Sequence, residues 1–395
     1  MIPVNEPQLA ANTLAYVADC IKTGWISSAG SYIRRFEESF AAFVGVKQAI
    51  TTTSGTTALH LALAGLGIGP GQEVLVPDLT MIAVPYAVLY TGARAALLDV
   101  EPETYNLDPD SMRSFIRKHC RLDAGRKALV DKRTGLIVKA VIPVHLYGHP
   151  CRMDEILALA RENNLLVIED AAEAHGGFYL SPDRGKPRQA GSMGEAGCFS
   201  FYANKIITTG EGGMVVTDSE ETALRCRRLK DLAHSPERRF LHTELAYNYR
   251  MTNVQAAIGL AQLEEVERFI DLKQKMAQAY GQRLSAVKGL TLPRQMPWAR
   301  SVYWMYAVLV EKDFGMSREQ LMTGLLARGV DTRTFFIPVH EQPVFQNEAA
   351  AAGESFPVST ELSRKGFYLP SGLALTLDQI DNVCRAVEAA QQGRP

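Results

Sequence analysis

Apolar and polar positions change rhythm several times along the chain, and those changes mark out its elements. From about residue 45 to residue 220, short apolar runs alternate with stretches of helical period. Residues 73–77, 95–100, 138–145 and 165–169 are apolar runs of strand length. Residues 56–66, 153–163 and 219–231 instead repeat their apolar positions every three or four residues, the mark of a helix with one buried face. Such alternation predicts an α/β fold with a largely parallel sheet and helices on both faces. Ligands of these sheets sit beyond the C-terminal strand ends. Residues 253–284 then carry a long amphipathic pattern through Val254, Ile258, Leu260, Leu263, Val266, Phe269 and Ile270, read as one long helix or two joined ones. Beyond it, residues 303–310 are strand-like, 318–328 helical, and 377–390 a terminal helix. The expected division is a large cofactor-binding domain over residues 1–250, then a linking helix and small α+β domain over 251–395.

Composition narrows the class. A chain of 395 residues, 47% hydrophobic and 22% charged, suits a globular enzyme with one large core and a smaller second one. A formal net charge of −1 without a basic block argues against nucleic acid as a partner. No apolar run approaches the ~20 residues that cross a bilayer, and the N-terminus lacks the basic-then-apolar layout of a signal peptide. The six scattered cysteines read as reduced thiols, so a cytoplasmic protein is expected.

The chemistry concentrates in FSFYANKIITTGEGGM, residues 199–214. A short strand runs into a polar loop carrying Lys205, and a turn with Gly210, Gly212 and Gly213 leads to a second strand. A lysine held there can point its amine into a cleft, and a desolvated amine forms Schiff bases with carbonyls, as in the binding of pyridoxal phosphate. A lone loop lysine is ordinarily just solvated, so its companions decide. Ser54-Gly55-Thr56 precede an apolar helical run: Ser54 can cap it and Gly55 lets backbone N–H groups approach an anion such as a phosphate. LLVIEDAAEAHG, residues 165–176, ends a strand in Glu169-Asp170, where an acid could keep a pyridine nitrogen protonated or simply cap a helix. GLGIGPG, residues 65–71, follows a helix and precedes a strand, the reverse of a dinucleotide fingerprint, and reads as a helix stop and turn. His145, His149 and Cys151 have the residue types of a metal site, but Gly148 and Pro150 argue against the helix that this spacing needs, so structural histidines are expected and no metal. Asn248 and Arg250 stand before the long helix, with Thr252 or Asn253 as its cap.

Taken in order, these segments resemble the sugar aminotransferases of the DegT/DnrJ/EryC1/StrS family, fold type I pyridoxal phosphate enzymes. The likeness runs from Gly24-Trp25-Ile26-Ser27-Ser28 through FSFYANKIITTGEGG and YNYRMTN to Tyr303-Trp304 and Pro338-Val339-His340, most of the chain. It implies an aspartate-aminotransferase-like fold, with a mostly parallel sheet flanked by helices and a small C-terminal α+β domain. It also implies that Lys205 holds the cofactor aldehyde as a Schiff base and later carries a proton. Asp170 would pair with the pyridine nitrogen and Glu173 would bond the ring hydroxyl. Ser54, Gly55, Thr56 and Ser200 would hold the phosphate. Met81 would cover the ring where many relatives carry an aromatic. Asn248 would reach the phosphate of a neighbouring subunit's cofactor, which requires a homodimer with its sites at the interface. Trp25, Ser28, Arg250, Tyr303, Arg333 and His340 fall in segments that line the sugar and nucleotide site of relatives. Histidine replaces the lysine in the family's dehydratase branch, so Lys205 implies amine transfer. The implied reaction moves an amino group from glutamate to the keto carbon of a sugar, with GDP-4-keto-6-deoxy-D-mannose first among acceptors. Another nucleotide keto-sugar, or a free keto-sugar acid such as an oxidised octulosonate, is the alternative. A non-catalytic regulatory relative is a further reading, which the set of Lys205, Asp170 and the phosphate loop opposes. Stretches 120–139 and 180–189 are longer than in relatives and are expected to reshape the substrate pocket.

Overall fold

The computed structural model describes residues 1–125, 128–181, 186–238, 240–345 and 354–393. Its main sheet runs in the order Gln48–Thr52, Gly213–Thr217, Ala196–Ser200, Leu166–Asp170, Ile137–Val141, Gln72–Pro77, Arg94–Leu98. All these neighbours are parallel except Gly213–Thr217, which is antiparallel to the strands on both sides. The central strands are buried along nearly their whole length, which is why they read as continuous apolar runs and not as alternating ones. Their C-terminal ends gather Asp78, Val144, Asp170 and Ser200 along one edge of the sheet.

Helices pack both faces. Gly55–Gly65 and Glu220–Lys230 begin as their capping residues dictate: Ser54 accepts from the Thr57 N–H and Ser219 from the Thr222 N–H. Gly67 and Gly71 take left-handed φ of 73° and 82°, so GLGIGPG is indeed a stop and a turn. The helix Ser31–Val44 lays Phe36 and Phe40 against Phe199 and Phe201, with Phe40 meeting both edge-on at 4.9 and 5.3 Å between ring centres. Truncating one of these rings to Ala would cost about 3–5 kcal/mol.

The long amphipathic stretch is two helices, Asn253–Glu264 and Val266–Leu284, broken at Glu265. Thr252 caps the first through a reciprocal bond with Gln255. The second carries Tyr280 and Leu284 into a separate core with Val308, Leu321, Ile380 and Val387. This core is built on an antiparallel sheet of Leu290–Thr291, Tyr306–Val310, Gly366–Leu369 and Arg333–Thr334.

The longer stretch at 120–139 folds as a hairpin, Cys120–Asp123 with Ala128–Asp131, whose second strand pairs with the beginning of Ile137–Val141. It therefore extends the sheet at the strand starts, the end away from Asp170. Of the stretch 180–189, residues 182–185 lie outside the described residues; its far end, Arg188–Gln189, joins Phe178–Tyr179 and Ala299–Arg300 in a small sheet. No described residue of either stretch lines the cavity detailed next. No helix among the described residues is long and apolar enough to cross a membrane.

Candidate active site

A cavity of about 360 Å³ opens at the C-terminal strand ends, and Lys205 lies in its wall with Ser54, Gly55, Thr56, Met81, Asp170, Glu173 and Ser200. These residues come from four separate stretches of the chain, and the sheet order brings them to one place. The strand Ala196–Ser200 delivers Ser200, then turns through Tyr202 so that the Lys205 N–H donates to the Tyr202 carbonyl at 2.9 Å. The Lys205 amine is 3.3 Å from Glu173 Oε1 and 3.7 Å from the centre of the Trp304 ring.

Asp170 and Glu173 are buried carboxylates with few partners. Asp170 Oδ1 accepts from the Ala172 N–H at 3.0 Å, and Glu173 Oε2 from the Tyr147 N–H at 2.8 Å. Burial raises both pKa values; for Asp170 the Ala172 amide and the charge of Lys205 offset part of this, for Glu173 chiefly the Lys205 charge and the Tyr147 amide. A cation brought beside Asp170 would recover solvation that its carboxylate lacks. The neighbouring Glu169 shows the contrast. It accepts from His145 Nε2 at 2.9 Å and from the amides of Gly191, Met193 and Gly194. Burial would raise its pKa, but the His145 bond and charge and the amides of Gly191 and Gly194 outweigh that and hold it below the usual glutamate range.

The anion cradle follows from a backbone approach. Ser54, Gly55 and Thr56, at the start of the helix Gly55–Gly65, line the cavity together with Ser200, and a helix N-terminus carries partial positive charge. A Cβ on residue 55 would stand 2.7 Å from Ser200 Cβ, so only glycine permits this contact. A phosphate-bearing aromatic aldehyde fits the set: an anion cradle at one end, an undercompensated carboxylate at the other, a lysine amine between. Met81 also lines the cavity, its sulfur 3.1 Å from the Ala83 amide.

Seven expected site residues lie outside this cavity. Trp25 and Ser28 are exposed on the N-terminal segment, where the Trp25 carbonyl accepts from the Asn253 side chain at 2.7 Å. Asn248 is exposed, and Arg250 pairs with Asp231 at 2.6 Å. Tyr303, at a left-handed φ of 47°, packs against the second core, while Trp304 beside it enters the wall. Arg333 is exposed and paired with Asp331 at 2.5 Å. His340 turns to Asp78, with Nδ1 2.7 Å from the carboxylate, a bond that raises the histidine's pKa. His145 and His149 are likewise occupied: the Cys151 N–H donates to His145 Nδ1 and the Met296 N–H to His149 Nε2. All six cysteines are buried and free.

The wall also holds residues to which the sequence reading gave no role, among them Thr80, Asn204, Glu211, Trp304, Phe336 and Tyr368. Asn204 and Glu211 flank Lys205 within its own motif, so proximity alone was a signal. Tyr368, on the strand Gly366–Leu369, and Phe336, just after Arg333–Thr334, come from the small antiparallel sheet and pack against the large core, and they carry none.

Comparison with known proteins agrees with this geometry. The model of the DegT/DnrJ/EryC1/StrS aminotransferase family matches residues 7–388. A GDP-perosamine synthase of Caulobacter vibrioides is 42% identical over 388 residues, covering 98% of this chain and 97% of the relative. One of Vibrio cholerae is 38% identical over 388 residues, with 98% of each covered. Among solved structures, DesV of S. venezuelae in complex with a ketimine intermediate superposes with a TM-score of 0.84 at 34% identity, covering 96% of this chain and 94% of that one. The chain belongs to the DegT/DnrJ/EryC1/StrS aminotransferase family. It is a sugar aminotransferase with the fold of the type I enzymes, and its cofactor is pyridoxal 5′-phosphate.

Proposed function

We propose that this aminotransferase moves an amino group from glutamate to the 4-keto carbon of GDP-4-keto-6-deoxy-D-mannose, yielding 2-oxoglutarate and a GDP-linked 4-amino sugar. The observation that carries the acceptor is the likeness, over 98% of the chain, to relatives named GDP-perosamine synthase. Bound pyridoxal 5′-phosphate supplies an aldehyde that takes up the amine and a ring that withdraws electrons from the reacting carbon.

The chain's own residues divide the rest of the work. The Lys205 amine binds the cofactor and afterwards carries a proton to and from the reacting carbon. Glu173, 3.3 Å from that amine, orients it and would hydrogen-bond the ring hydroxyl. Asp170 holds a proton on the ring nitrogen because burial leaves its charge short of partners. Ser54, Gly55, Thr56 and Ser200 would hold the cofactor phosphate, and Met81 would lie against its ring.

Asn248, Trp25, Ser28, Arg250, Tyr303, Arg333 and His340 belong, in this reading, to a substrate and dimer surface completed by a second copy in the cytoplasm. Support comes from Asn248 and Trp25, exposed and outside the cavity of their own chain. The division into a cofactor domain, residues 1–250, and a linking helix with small domain, 251–395, is supported by the second core.

The test supplies purified enzyme with glutamate and, in separate reactions, GDP-4-keto-6-deoxy-D-mannose, the dTDP and UDP keto-sugars, and free keto-sugar acids. The GDP sugar should be aminated with the highest kcat/KM. Faster amination of a free sugar acid, or of a different nucleotide sugar, overturns the acceptor while leaving the chemistry.

A further inference from the structure

Two buried groups, the Trp304 indole in the cavity wall and the Lys273 amine bonded to its backbone, have no part in the chemistry above. Lys273 sits on the helix Val266–Leu284 and is 1% exposed. Its amine donates to the carbonyls of Trp304, at 2.8 Å, and of Ser371. Among the described residues no carboxylate pairs with it, and burial alone pulls its pKa down to about 7. A lysine so placed is costly to bury, and what it secures is the position of two backbone carbonyls. Ser371 in turn accepts from the Tyr306 N–H at 2.9 Å, so Lys273 ties the long helix to the second core and to the Trp304 segment together.

Trp304 is 3% exposed and lies in the cavity wall. Its ring face lies against the Lys205 amine, centre to nitrogen 3.7 Å, on the geometry of a cation–π contact. Its Nε1–H donates at 2.7 Å to the carbonyl of Asn204, the residue just before Lys205. Behind it, the ring is stacked with Tyr147, the planes inclined by 16° and the centres 6.4 Å apart. The indole thus grips both the backbone and the amine of the lysine, and Lys273 grips the indole's own backbone.

We propose that Trp304 is a positioning residue for the reacting lysine, aiming the Lys205 amine through its ring face and its bond to Asn204, with Lys273 as the buried peg that sets Trp304. The proposal rests on Lys205 being the residue that binds the cofactor.

The experiment strips cofactor from wild type, W304F, W304L, K273M and K205A, then makes two measurements on each. One is the rate at which added pyridoxal 5′-phosphate becomes fixable by borohydride. The other is the affinity for pyridoxine 5′-phosphate, which has the ring and phosphate but no aldehyde. Positioning predicts capture slowed by about tenfold in W304L and K273M and by a few-fold in W304F, with pyridoxine phosphate affinity within about twofold of wild type. Capture at the wild-type rate in W304F and W304L overturns it. So does a parallel loss of pyridoxine phosphate affinity, the sign of a ring that only fills space. If W304L does not fold, W304F decides by itself, since phenylalanine keeps most of the volume and loses the indole N–H. A fixed adduct in K205A overturns the role of Lys205 and the proposal with it. No adduct in K205A beside unslowed capture in W304F overturns the positioning alone.

Discussion

The two sides of the strand Leu166–Asp170 treat a buried carboxylate in opposite ways. On one side Glu169 is surrounded by donors: His145 and three backbone amides of the segment 191–194. On the other, Asp170 has one amide and a view into the cavity. The two residues are adjacent and both buried, yet burial wins at Asp170 and hydrogen bonding wins at Glu169. A satisfied buried charge holds the fold; an unsatisfied one beside a cavity is waiting for a ligand. The histidines repeat the lesson, because His145 and His149 spend their ring nitrogens on protein groups.

If that contrast is right, removing each charge must do a different kind of damage. E169Q turns an amide toward the N–H groups that Glu169 now accepts from, and should destabilise the fold by about 3 kcal/mol in urea unfolding. Because the folded pKa of Glu169 is depressed, its contribution is complete above the ordinary glutamate value of about 4.3 and should fade as pH falls below it. The folded fraction of E169Q should retain most of its kcat.

D170N should behave in the opposite sense, lowering kcat by on the order of a hundredfold in a normally folded protein. Equal losses of stability in the two variants would erase the distinction. G55A comes next: its Cβ must push against Ser200, and cofactor affinity measured by absorbance titration should fall about tenfold. The smallest effect is the most pointed. Cofactor-free D170N should melt about 2 °C above cofactor-free wild type, since it removes a buried charge that its own partners offset only in part.

Much of this was legible before the structure. The apolar runs located the central strands to within a residue or two at most ends, because strands buried on both faces must be apolar throughout. The strand expected at 138–145 ends at Val141, since Pro143 has no N–H to donate and Val144 makes only an isolated bridge to Asp170. The strand expected from 303 begins at Tyr306, because the left-handed Tyr303 delays it. Strand direction was not legible: Gly213–Thr217 is antiparallel to both neighbours, and a buried run looks the same either way. The helix Ala83–Tyr90 is apolar almost all round, a pattern that does not tell helix from strand.

In the site, the groups carried by local motifs (Lys205, Asp170, Glu173, Ser54-Gly55-Thr56 and Ser200) share one wall, since a loop next to a strand end goes where the sheet puts it. What pattern could not supply was the aromatic part of the wall. Trp304, Phe336 and Tyr368 pack against the large core from the C-terminal part of the chain, and although Tyr303-Trp304 carried part of the resemblance, no local periodicity assigns any of the three to the cavity. His340 is a different case: its motif suggested the sugar segment, and its ring bonds Asp78, a partner 262 residues away that no local pattern pairs with it.

The measurement closest to the centre of this account is peptide mass spectrometry of the cofactor-loaded enzyme after borohydride reduction. The account predicts the reduced cofactor on the peptide bearing Lys205 at near-full occupancy. An adduct on another lysine, such as Lys230 or Lys273, or no adduct in fully loaded enzyme, would contradict it.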